Sequence, residues 1–202
     1  MSNVKRTVWL WLLVIFVGIQ FGAGWYEKLA IVPLWEDQPP DEVLSAMEDS
    51  GMKRAGRAFW PFVSPVVALL SLVNLYVAWR APAPMRRWWI AGAALMATYS
   101  LSTYTFFAPQ MLMFQSSGNT WSPERIDTFV TWWTRLNYPR MFIGGIGWLC
   151  LLRALSLSAL STRTVPTANL PAPASAAAML ADHIRMSTLA DQSRQEPANH
   201  PD

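Results

Sequence analysis

Four long stretches of this chain carry almost no charge. They are Thr7–Tyr26, Ala58–Trp79, Trp88–Phe107 and Met141–Leu160, the last interrupted only by Arg153. A hydrocarbon layer about 30 Å thick is crossed by ~20 apolar residues at 1.5 Å rise each. The expected fold class is therefore all-α: a polytopic membrane four-helix bundle running up-down-up-down over residues 1–160. A disordered cytoplasmic tail is expected over residues 161–202, where Ala, Pro, Ser and Thr dominate. So few large apolar side chains cannot offset the entropy of ordering. A weak helix near Ala174–Ala190 is the one element expected there.

Net charge is +3, but the basic residues gather at the ends of the apolar stretches. That is a topology signal, and no nucleic-acid partner is expected. Lys5 and Arg6 precede the first stretch, and Arg80, Arg86 and Arg87 fill the link between the second and third. In an up-down bundle both clusters lie on one side, which places both termini in the cytoplasm of a multi-pass cell-membrane protein. Lys53, Arg54 and Arg57 weigh on the other side. The first stretch is longer than the apolar core of a secretory leader and is followed by no clean cleavage site. It reads as an uncleaved helix. Tryptophans cluster at the ends of the stretches (Trp9, Trp11, Trp25, Trp35, Trp60, Trp79, Trp88, Trp89, Trp132, Trp133) and suggest belts at headgroup depth, with Trp148 an exception in mid-helix.

The lone Cys150 cannot form an internal disulfide, and both histidines, His183 and His200, lie in the tail. This argues against a histidine-ligated haem, zinc or copper site in the spans, and no cofactor is expected. The first long loop, Lys28–Arg57, is broken by Pro39 and Pro40. It should hold helical structure over residues 41–57, beginning as a short acidic helix near Asp41. After a second loop, Ala108–Thr120, the run Ser122-Pro123-Glu124 is a strong helix start for residues 123–137. Pro139 should then kink that helix into the fourth span.

Small residues mark close approaches. Gly18, Gly22, Ala23 and Gly24 in the first helix, and Gly144, Gly145 and Gly147 in the fourth, allow tight packing in lipid or form the wall of a cleft. The charged residues are more telling. Arg140 and Arg153 are thirteen positions apart, roughly 20 Å along a helix, less than the ~30 Å layer. Arg140 is the better candidate for an intramembrane charge and needs a partner. Counted from Thr7, Glu27 lies about 30 Å up the first helix, at similar depth. Gln20, Gly24 and Glu27 share one helical face; Trp133, Asn137, Arg140 and Gly144 share another if the helix passes through Pro139. With Tyr104 near the end of the third helix, one polar pocket can hold Gln20, Glu27, Tyr104, Trp133, Asn137 and Arg140. Asn74 and the hydroxyl run Ser100, Ser102, Thr103 and Thr105 are less specific, since hydroxyls in such helices usually bond their own backbone.

At these residues the chain resembles a family of four-helix membrane proteins that includes the anthrone oxygenases. The resemblance rests on Gly22-Ala23-Gly24-Trp25-Tyr26-Glu27 leading to Pro33, on Thr105 followed by Pro109 and Gln110, and on Trp133, Asn137 and Arg140 in a Trp-x3-Asn-x2-Arg pattern. It spans roughly Thr7–Leu157, and departs where the family often has Asn and this chain has Gln110. What it implies is cofactor-free oxygenation of a hydrophobic aromatic substrate. Glu27 would act as base, Arg140 and Asn137 would stabilise an oxyanion, and Trp133 and Tyr104 would stack on the ring. The competing reading is a non-catalytic scaffold or accessory subunit in which Glu27 and Arg140 form a structural pair. A transporter needs a wider pathway than four helices provide, which a homo-oligomer would supply.

Overall fold

The computed structural model describes residues 3–163 and 181–186. The chain divides into two units, Met1–Leu160 and Ser161–Asp202. In the second, residues 161–163 and 181–186 are helical; the rest of the expected tail lies outside the described residues.

The first unit is helical throughout, with no strand among the described residues. Helix α1 is Asn3–Tyr26, extended by a π turn at Glu27–Ile31 and a 3-10 turn at Val32–Leu34. Helix α2 is Val43–Asp49, α3 is Met52–Ala78 and α4 is Ala83–Ser102. A second π turn, Thr103–Phe107, leads into α5, Ala108–Ser117; a 3-10 turn at Gly118–Thr120 precedes α6, Pro123–Arg163.

Three of these segments are long and apolar enough to cross a membrane: Arg6–Leu34, Met52–Ala78 and Pro123–Leu160. Helix α4, on the third expected stretch, is not among them. Its Trp88, Trp89, Tyr99, Ser100 and Ser102 dilute the apolar character that Ile90 and Leu95 supply. All four long helices nevertheless feed one apolar core, with Leu10, Leu13 and Val17 from α1 and Val67 and Leu70 from α3. Trp89, Ala93 and Met96 of α4 and Leu151 and Ala154 of α6 complete it. Large apolar side chains such as Ile15, Leu69, Leu101 and Phe142 face outward. An apolar exterior over a packed apolar interior is what a lipid solvent demands.

Several local expectations are corrected. The helical structure expected over residues 41–57 includes the first turns of α3, which begins at Met52 behind Gly51 and not at Ala58. That glycine has φ +74°, a left-handed conformation that side chains resist. The expected loop at Ala108–Thr120 is mostly α5, which continues directly from the second π turn with Pro109 at its second residue. The expected acidic helix starts at Val43, two residues after Asp41. Helix α6 continues through Pro139 from the expected extramembrane helix into the fourth expected span.

The tryptophans also divide. Trp11, Trp79 and Trp132 are exposed, whereas Trp35 and Trp89 are fully buried. Trp89 is buried because it has a polar partner. Its indole N–H donates to Asn74 Oδ1 at 2.8 Å, and Asn74 Nδ2 donates to the carbonyls of Trp9 at 3.0 Å and Leu70 at 2.8 Å. One amide thus ties α1, α3 and α4 together. Replacing Asn74 by Leu should cost about 1–2 kcal/mol, because the indole and the Trp9 carbonyl lose a buried partner. Reversible unfolding of N74L and W89F, singly and combined, checks this: coupled partners give a double variant milder than the sum. Trp148, the mid-helix exception, donates to the Val14 carbonyl at 3.2 Å and lays its ring against Gly18.

At the same end as these residues, Arg6 Nη1 donates to the Arg80 carbonyl at 2.6 Å. The start of α1 and the α3–α4 link therefore share one end of the molecule. At the other end a second core forms from Val32, Trp35, Val43, Met47, Phe114, Ile126 and Val130. It is a cap built from the α1–α3 connection, α5 and the first turns of α6.

Candidate functional site

Where the cap meets the main core there is a cavity of about 430 Å³. Each of its walls follows from the local fold. The last turns of α1 contribute Gln20 and Gly24, and the π turn after it contributes Glu27 and Lys28. Helix α3 presents Lys53, Arg57, Trp60 and Ser64 at helical spacing along one face. Tyr99 of α4 and Thr103, Tyr104 and Phe107 of the second π turn form another wall. Trp133, Asn137, Arg140 and Met141 close it from α6.

All six sequence-derived candidates, Gln20, Glu27, Tyr104, Trp133, Asn137 and Arg140, line this cavity. Their environments differ. Gln20 and Asn137 are buried at 3% and 4% exposure, whereas Tyr104 is 45% exposed and stands at the rim. Trp133 is buried, donates to the Phe107 carbonyl at 3.4 Å and packs beside Trp35 and Phe107. Its ring closes the top of the cavity and holds α6 against the second π turn.

Arg140 is the most elaborately held side chain. Nη1 donates to Thr103 Oγ1 at 3.1 Å and Nη2 to Asn137 Oδ1 at 2.7 Å. The guanidinium lies 4.3 Å from the Phe107 ring centroid and 5.0 Å from that of Tyr99. Cation–π contacts of this kind strengthen where water is excluded. Asn137 Nδ2 in turn donates to the Trp133 carbonyl at 2.8 Å, so its oxygen is pinned toward the arginine. Two buried atoms on the cavity residues have no hydrogen-bond partner: Arg140 Nε and Gln20 Oε1. A buried donor and a buried acceptor left open on one cavity are what a bound molecule would satisfy.

The direct Glu27–Arg140 ion pair expected from the sequence is not formed. Among the described residues the ion pairs are Lys28–Glu36 at 2.8 Å and Lys53–Glu48 at 3.2 Å. Arg140 is still close enough for its charge to act on the Glu27 carboxylate, and Trp60 is placed to donate to it. The arginine satisfies its Nη atoms within α6 and the π turn, and the Glu27 carboxylate lines the cavity beside Trp60 without an ion pair.

Reasoning from sequence missed Lys28, Trp60, Tyr99 and Thr103. Lys28 was assigned to a loop, yet it is 6% exposed, paired with Glu36 and 4.9 Å from the Tyr138 ring centroid. Thr103 stood out only within an unspecific hydroxyl run and Tyr99 not at all, because a hydroxyl or phenol in a mixed helical run looks like any other. The glycines split by role. A methyl on Gly144, Gly145 or Gly147 would press on Tyr99, Phe21 or Leu95 at 3.2 Å, so these serve packing. Gly22 and Gly24 have open space around them, and Gly24 lines the cavity.

Among the described residues no group of three or more His, Cys, Asp or Glu is placed to hold a metal ion. The chain matches no known family model, no curated protein and no solved structure.

Proposed function

We propose that this is an integral membrane protein whose helices α1, α3, α4 and α6 all cross the cell membrane, with both termini in the cytoplasm. The shared apolar core, the outward apolar side chains and the meeting of Arg6 with the Arg80 carbonyl support this reading. The cap and its cavity then lie at the outer face.

We further propose that the cavity oxidises a hydrophobic aromatic substrate without a cofactor, as in the anthrone oxygenases that the chain resembles. The observation that carries this is the gathering of a carboxylate without an ion pair, a tethered guanidinium and aromatic rings around one largely apolar space. In the proposed reaction Glu27 takes a proton from a methylene flanked by aromatic rings and conjugated to a carbonyl. Arg140 Nε donates to the enolate oxygen that develops, an electrostatic role that is strongest in a water-poor site. Molecular oxygen accepts electrons from the carbanion. The carbon forms a C–O bond and loses its second hydrogen; the other oxygen atom leaves as water. The balance is one methylene and one O2 giving one carbonyl and one H2O.

The test is oxygen uptake by the reconstituted protein with anthrone. Glu27→Gln keeps the size of the side chain and removes the base, and is expected to lower turnover by at least about 10²-fold. If Glu27→Gln keeps full turnover, or the wild type shows none, the catalytic reading fails. The alternative, a non-catalytic scaffold or accessory subunit, would use Arg140 as a structural tie between α6 and the second π turn.

A further inference from the structure

The cavity is electrically lopsided. Four cationic side chains line it, Lys28, Lys53, Arg57 and Arg140, against the single carboxylate of Glu27. Lys28 is answered by Glu36, and Lys53 by Glu48, a residue 72% exposed whose pairing is worth little. Arg57 and Arg140 have no ion partner among the described residues. The charges are also sorted by depth. Lys53 and Arg57 sit in the first turns of α3, beside the cap. Trp60, Pro61, Ser64 and Pro65 continue the same wall toward the apolar core. From Lys53 to Pro65 is twelve residues, about 18 Å of helix.

The flank is open. Pro61 and Pro65 on α3, and Tyr104 and Leu112 across from them, line the cavity and are themselves exposed. In the proposed membrane placement that opening faces the outer leaflet. A molecule could pass sideways from lipid while its head stays near the cationic rim.

From this arrangement we infer that the cavity takes an elongated anionic amphiphile. Its carboxylate or phosphate head sits at Lys53 and Arg57, and its apolar body extends past Trp60 toward Ser64 and Pro65. This names the substrate class for the site and rests on the membrane placement proposed above, though not on the oxygenase reaction. A volume of about 430 Å³ is in the range of small-molecule sites and too small for a whole two-chain phospholipid. One chain or one ring system fits inside, with the head at the rim.

The experiment measures binding of radiolabelled dodecyl phosphate to the full-length protein in phosphatidylcholine nanodiscs, with dodecanol and inorganic phosphate as controls. Dodecyl phosphate should bind saturably and at least tenfold more tightly than dodecanol, and inorganic phosphate should not compete at equal concentration. Lys53→Gln combined with Arg57→Gln should weaken dodecyl phosphate about tenfold and leave dodecanol unchanged. Gly56→Leu, which projects a side chain into the same wall, should weaken both. Competition by lysophosphatidylglycerol, a one-chain lipid, in the disc would identify a lipid as the source of the head; no competition would identify a free amphiphile. Equal binding of dodecyl phosphate and dodecanol, or a K53Q/R57Q variant with unchanged preference, overturns the inference. Turnover of anthrone without that preference would sink this inference alone. Saturable dodecyl phosphate binding without any turnover would sink the oxygenase reading alone.

Discussion

Replacing Arg140 with alanine should lower anthrone oxidation by about 10²–10³-fold, the usual cost of removing one preorganised donor from a developing oxyanion. The loss should appear in kcat at saturating substrate, because the guanidinium is held in place before substrate arrives. Thr103 Oγ1 and Asn137 Oδ1 fix its two Nη atoms, and the Phe107 and Tyr99 rings flank its plane. Lysine at the same position keeps the charge but not the fork. Arg140→Lys should therefore recover part of the rate and little of the geometry. Oxygen uptake by both variants, alongside thermal unfolding, separates chemistry from assembly. If Arg140→Ala unfolds but Arg140→Lys is stable and fully active, the residue only supports the helices. If both are stable and active, no oxyanion role remains.

The second large effect is expected at Gly92. A methyl there would lie 2.7 Å from Leu151 Cγ and 2.8 Å from the Gly147 carbonyl oxygen. The second of these is backbone, which cannot swing away. Helices α4 and α6 must separate to admit even alanine, at a cost of about 1–3 kcal/mol, with valine worse. Gly22→Ala is the matched control, since nothing lies within 4 Å of its added methyl. Alanine favours helix over glycine by about 1 kcal/mol, so that variant should be neutral or slightly stabilised. Unfolding in detergent checks both. Equal stability of G92A and G22A would mean that the α4–α6 contact carries no packing constraint.

Three of the four expected apolar lengths were legible because hydrophobic length alone decides them; α4 is too diluted by polar and aromatic residues to join them. Their ends were not. Lys53, Arg54 and Arg57 look like loop charges, yet a helix that emerges from lipid can carry them in its first turns. Pro109 looks like a stop, yet the helical path runs from the second π turn through it into α5. The candidate site was legible to the extent that helical periodicity brings Gln20 and Glu27, or Asn137 and Arg140, to one face. What periodicity could not give was the partner of each group. Arg140 takes a threonine and an asparagine instead of the glutamate, because Thr103 is delivered by a turn that departs from the α repeat. Trp89 looked like a headgroup anchor for a similar reason: its buried acceptor, Asn74, lies on another helix, and no local pattern reveals it.

Two wide turns, Glu27–Ile31 and Thr103–Phe107, flank the cavity on opposite walls. Each holds one residue more than ordinary helical pitch would use, so each offsets the angular phase of the next segment by about 100°. The offset lets α1 and α4 stay in step with their neighbours below while the segments above turn to build the cap. Excising one residue from either turn, such as Ala30 or Thr105, would restore the ordinary pitch and swing the cap out of alignment. These turns act as the vernier between the two apolar cores, and length changes there should be far less tolerated than in the Asp37–Glu42 connection.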